Sequence, residues 1–165
     1  MGGRGGVSGL SGSGISAKDI SKKLPDTKDF ALDRPPQLEG SEKQIAWAKK
    51  IRAKFVPKLA QSIFAYNQDL VKAINGGKEA AAKQIYENAV NTFKNRYSYI
   101  SDKKEAERLT NKDIADYVKR EVSTYNTLSN RVKALNELAQ NKSAKFWIDN
   151  RNSYDEIRKK ILGTK

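Results

Sequence analysis

The stretch that decides the fold is Ser41-Glu-Lys-Gln-Ile-Ala-Trp-Ala-Lys-Lys-Ile-Arg-Ala-Lys-Phe-Val-Pro-Lys-Leu59. Ser41 followed three residues later by Gln44 is a capping box, the signature of a helix start. Ile45, Ala48, Ile51, Phe55, Leu59 and Ile63 then recur at helical spacing and mark one apolar face. Pro57 falls inside this pattern. It lacks an N–H and crowds the preceding turn, so a kink or a split near Val56 is expected. The periodicity resumes through Leu70 and Ile74, and Asn75-Gly-Gly77 stops it.

The same reading extends to both sides. A second helix is expected from about Lys78 to Tyr97, with Ala82, Ile85, Ala89 and Phe93 on its apolar face. Ser101-Asp102 caps a short helix carrying Ala106 and Leu109, and Thr110-Asn-Lys-Asp113 reads as a fresh N-terminus. From there Ile114, Tyr117, Val118, Val122, Tyr125, Leu128, Val132, Leu135 and Leu138 form a long amphipathic stripe. Ser143 caps a short helical turn with Phe146, Trp147 and Ile148. Ser153-Tyr-Asp-Glu156 reads as another capping box ahead of Ile157 and Ile161. Alternating strand patterns and repeats of solenoid period are absent. The expected class is all-α: a bundle of three to four main helices with short satellite helices.

Residues 1–40 read differently. The opening to Gly14 is Gly/Ser-rich, and Leu24-Pro25 and Arg34-Pro-Pro36 break any nearby helix. This predicts a largely flexible N-terminal arm over 1–40 and a basic helical domain over 41–165, with Ile15, Ile20, Phe30 and Leu32 available to dock part of the arm.

Charge and composition narrow the function. The chain carries 32 Lys and Arg against 19 Asp and Glu, for a formal charge of +13. Twelve of those charges fall in residues 41–165. Such an excess draws a protein to polyanions. With no Cys and no His, disulfides, thiol nucleophiles, imidazole acid–base chemistry and His/Cys zinc sites are excluded. No Gly-rich phosphate loop leads into a helix. Asp113 and Asp116 share a helical face where magnesium would fit, but acids near a helix start are stabilised without a metal. The expectation is a binding protein rather than an enzyme, without cofactor or metal. No segment approaches the ~20 apolar residues of a membrane span, and no secretory signal is present. Met1-Gly2 resembles a myristoylation start, yet Gly6 stands where that motif wants Ser or Thr. A cytoplasmic location is expected.

The candidate binding residues lie on the quoted stretch. On a helical wheel Lys43, Lys50, Lys54 and Lys58 fall within about 80° of one another, beside the apolar face. Solvated helix faces usually alternate sign, because like charges one turn apart repel by a few tenths of a kcal/mol. A one-sign stripe has two readings: it is compensated by an external anion such as phosphate, or it is a lysine-rich solvated face. Lys49, Arg52, Lys145 and Arg151 add to the candidate set, Arg52 as a direct ligand contact if it is not taken up structurally. Arg52 lies near the apolar side, either snorkelling at the core edge or paired with an acid, Asp149 being the candidate partner. Trp47 and Trp147 have two readings. They stack on bases with flanking cations holding phosphates, or they plug the core where the first body helix meets the C-terminal segment. Tyr86, Tyr97, Tyr99, Tyr117 and Tyr125 have basic neighbours and carry the same ambiguity.

Leu38-Glu-Gly-Ser-Glu-Lys-Gln-Ile-Ala-Trp-Ala-Lys-Lys-Ile-Arg52 and Ala144-Lys-Phe-Trp-Ile-Asp-Asn-Arg151 resemble a small helical module of bacterial phage and mobile-element proteins. The resemblance covers the two ends of the body and not residues 60–140. It implies a setting, a phage or mobile-element accessory protein in a bacterial cell, and a structural signature of Gln44, Trp47, Trp147 and Asp149. In that signature Trp47 and Arg52 pack with Trp147 and Asp149. It brings no catalytic residue. The expected partner is nucleic acid or a nucleoprotein complex. The alternatives are a host defence effector, bound by an anti-CRISPR-like counter-defence inhibitor, and other copies of a phage structural or assembly protein.

Overall fold

A computed structural model describes residues 14–164. It is all-helical: α1 (Ala17–Lys23), a 3-10 turn (Thr27–Phe30), α2 (Glu42–Phe64), α3 (Gln68–Asn75), α4 (Lys78–Phe93), α5 (Lys103–Ala139), α6 (Ala144–Asp149) and α7 (Tyr154–Leu162). Among the described residues there is no β-strand, only an isolated parallel bridge between Glu39 and Ser143. The chain divides into two compact units. Among the described residues, one holds 14–24 together with Gly76–Tyr125; the other holds Pro25–Asn75 and 126–164. The division falls within α5, between Tyr125 and Asn126.

In the first unit α1 packs on α4. Ser16 caps α1 reciprocally with Asp19, and Ile20 is buried. Helix α4 is rich in alanine, the strongest helix former, and buries Ala81, Ala82, Ile85, Ala89, Val90 and Phe93. It ends at Phe93 instead of Tyr97. Tight turns take over at Arg96, Ser98 and Ile100 because tertiary contacts outcompete another helical turn. Arg96 lies over the Phe93 ring at 5.3 Å and reaches Asp113 at 3.4 Å, and the Tyr97 hydroxyl donates to Asp113 at 2.7 Å.

Asp102 starts α5 as expected, its Oδ1 accepting from the Lys104 and Glu105 amides at 3.0 and 3.3 Å. The fresh start at Thr110 does not occur. Thr110 is buried, and its hydroxyl donates back to the Ala106 carbonyl at 2.8 Å. A threonine bonded this way sits inside a helix rather than capping one, so Lys103–Ala139 is one continuous helix.

The second unit takes in part of the segment read as an arm. Residues 25–40 are bonded to Asn136 of α5, to Gln140 just past its end and through the bridge. Asn136 accepts from the Asp33 amide at 3.0 Å and donates to the Ala31 carbonyl at 2.9 Å. Gln140 donates to the Arg34 carbonyl at 3.3 Å. The Glu39 amide donates to Lys142, and the Ala144 amide to Glu39. Leu24, Phe30 and Leu38 are buried, whereas Leu32 stays 45% exposed. Only the part of the expected arm before Gly14 lies outside the described residues.

Helix α2 is not split by Pro57. Pro57 and Ala53 are both exposed. The carbonyl that loses its partner N–H thus lies on the side that water reaches, which limits the cost of the proline.

Candidate nucleic-acid interface

Three local features set the pose of α2. Ser41 Oγ accepts from the Gln44 amide at 3.3 Å, and Gln44 Oε1 accepts from the Ser41 amide at 3.0 Å, closing the capping box. Gly40, at φ +150°, lets the chain enter against α6, where a Cβ would sit 3.1 Å from both the Ala144 Cβ and Gln44 Oε1. Ser143 caps α6 by accepting from the Phe146 amide at 3.2 Å. Helix α6 then packs on α2, and Leu38, Ala48, Ile51, Phe55, Ala144 and Trp147 form one buried cluster. Gln44 thereby acts as a structural residue.

With that face buried, the adjoining face of α2 points to solvent. Lys43, Lys50, Lys54 and Lys58 are all exposed. Among the described residues no carboxylate forms an ion pair with any of them. Lys58 is partly engaged, its ammonium lying 4.4 Å from the centroid of Tyr154, which packs edge-on against Phe55. The other three lysines are uncompensated.

The two tryptophans part company. Trp147 is fully buried, its Nε1 donating to the Asn141 carbonyl at 2.9 Å and its ring edge-on to Phe146. Trp47 is 49% exposed and does not join Trp147 in the core. On the wheel its direction falls between Lys54 and Lys58, inside the basic stripe. The guanidinium of Arg151 lies over its ring, 5.4 Å from the centroid. The sequence named both residues without joining them. The contact exists because the chain end of α6 is folded back over α2, with Arg151 Nη1 held on the Ile148 carbonyl at 2.9 Å.

The remaining candidates lie apart from this patch. Arg52 does not pair with Asp149. Its Nη1 donates to the Pro36 carbonyl at 2.8 Å, and partial burial lowers its pKa, though it stays charged. Asp149 instead pairs with Lys145 one helical turn back, which compensates that cation. Arg52 and Lys49 line a small hollow of about 380 Å³ with Pro35, Ala53, Val56 and Pro57. Ser153 makes no side-chain cap, contrary to the expected capping box.

In the first unit, an open cleft of about 850 Å³ is lined by Phe93, Arg96, Asp113, Asp116, Lys119, Arg120, Ser123 and Thr124. Asp113 is committed there to Tyr97 and Arg96. That hydrogen bond, with the negative charge behind it, pushes the Tyr97 hydroxyl above the usual tyrosine range. Among the described residues no group of three or more acids could hold a metal ion, and no helix is long and apolar enough to cross a membrane. Tyr99 is exposed and Tyr125 buried, so the tyrosines form no common surface.

No known family model, curated protein or solved structure matches this chain.

Proposed function

We propose that the chain is a non-enzymatic accessory protein that binds nucleic acid, free or within a nucleoprotein complex, through the basic face of α2. The observation that carries this reading is the row of exposed lysines Lys43, Lys50 and Lys54, extended by Lys58, with no carboxylate paired to it. The surface pairs found elsewhere, Lys83–Glu87, Arg108–Glu105 and Lys145–Asp149, show how the same chain balances its helices where it chooses to. An unbalanced row gains by exchanging condensed counterions for phosphates. The phage resemblance of the two end segments supports an accessory role in the bacterial cytoplasm.

The test is fluorescence-anisotropy titration with short labelled DNA and RNA at low and physiological salt. Wild type is compared with a variant carrying Lys43→Glu, Lys50→Glu, Lys54→Glu and Lys58→Glu, its helicity checked by circular dichroism. The expected result is binding that survives physiological salt and is lost in the variant. Binding confined to low salt, or unchanged in the variant, overturns the proposal and directs the search to a protein partner, such as a defence effector or another copy of the chain.

A further inference from the structure

Resting on that reading, we infer that the α2 face takes an unpaired strand, DNA or RNA, with Trp47 as the platform on which one base stacks. The argument concerns Trp47 rather than the lysines, which any polyanion would satisfy. Exposure of one ring, here 49%, is ordinary at a protein surface; what singles out Trp47 is its surroundings. It stands within a row of cations and carries the Arg151 guanidinium across its ring. Axially, Trp47 lies between Lys43 and Lys50, about 6 Å from one and about 4.5 Å from the other by helical rise. A nucleotide whose base lies on the ring therefore has cations on both sides for its two flanking phosphates.

A duplex cannot use this arrangement. Its bases already stack on one another, and exposing one to Trp47 costs a few kcal/mol of unstacking. A single strand offers phosphates and π-faces together, and stacking on an aromatic ring is tolerant of sequence because every base has a π-face. The Arg151 contact holds the ring in place before ligand arrives, which lowers the ordering cost on binding. Base stacking and phosphate contacts are common to both sugars, so DNA and RNA strands of equal length are expected to bind alike.

The experiment compares single-stranded DNA, single-stranded RNA and duplex DNA of one length at physiological salt. The proteins are wild type, Trp47→Ala, Trp47→Phe and the four-lysine variant. Wild type is expected to prefer single strands over duplex by about tenfold or more. Trp47→Ala should lose about 5- to 160-fold on single strands, the range for one stacked base, while its duplex affinity stays within about twofold. Trp47→Phe, which keeps an aromatic face, should retain most of the single-strand affinity and guards against a folding artefact. If Trp47→Ala weakens single strands and duplex equally, or neither, the stacking inference falls; the basic-face reading still stands if the four-lysine variant has lost binding. If wild type binds none of the three, both fall.

Discussion

The two tryptophans should differ sharply when truncated. Trp147 is fully buried in the α2–α6 cluster, so Trp147→Ala removes the largest side chain of that core and leaves a cavity, a change that costs about 3–5 kcal/mol. It also deprives the Asn141 carbonyl of its 2.9 Å donor, adding about 1 kcal/mol because Asn141 is only partly buried. Trp47→Ala loses a half-exposed ring and its cation–π contact with Arg151, worth about 1–2 kcal/mol together, and the better helix propensity of alanine returns a few tenths. The expected gap is about 4 kcal/mol in favour of Trp47→Ala. With a urea slope of about 2 kcal/mol per molar, the midpoint drops by about 2–3 M for Trp147→Ala and by less than about 1 M for Trp47→Ala. The assay is urea unfolding followed by far-ultraviolet circular dichroism. If Trp147→Ala is unfolded at the outset, Trp147→Phe supplies the number, with an expected loss of about 1–3 kcal/mol. Acrylamide quenching of the native protein is the independent check: Trp47 should carry the quenchable emission. Equal midpoint shifts, or a larger one for Trp47→Ala, would refute the assignment of one ring to the core and the other to the surface.

Three further outcomes follow from the same geometry. If the four lysines neutralise four phosphates of a single strand, log affinity should fall with log salt at a slope of about −2.8, and Lys50→Ala with Lys54→Ala should flatten it by about 1.4. Slopes taken by anisotropy from low to physiological salt test this, and an unchanged slope would sink the contact assignment. Gly40→Ala meets both an unfavourable φ of +150° and contacts of 3.1 Å to Ala144 and Gln44, so thermal unfolding should show a loss of about 1–3 kcal/mol. The Tyr97 hydroxyl, held on Asp113, should ionise above the ordinary value of 10.0, and Asp113→Asn should bring it back down in an ultraviolet titration of tyrosinate. Since the folded pKa is the higher one, this contact stabilises the fold fully below pH 10.0 and is lost as the pH climbs through the raised value.

Much of the helical content was legible in the chain itself. Apolar spacing and the caps at Ser41, Asp102 and Ser143 are local signals, and local hydrogen bonding honours them. The exclusion of thiol and imidazole chemistry rests on composition alone and needs no coordinates. The lysine row was legible too, because four positions on one helix share a direction whatever lies around them.

Where a side chain had two satisfactory local options, tertiary contacts chose. Thr110 either caps a helix or bonds back within one, and continuation of the helix through a buried position selected the second. Residues 25–40 lack the periodicity of a helix and read as an arm, yet Asn136 on α5 and Gln140 just past its end, over a hundred positions away, bond to their backbone. Arg52 found a carbonyl at Pro36 in place of the expected Asp149, which was already served by Lys145 on its own helix. The decisive case is the pair of tryptophans. The helical wheel already sets Trp47 among the lysines, next to the apolar stripe, but whether its ring turns into the core or out to solvent was open; the seating of α6, with Trp147 filling the core and Arg151 reaching over α2, leaves the Trp47 ring half-exposed.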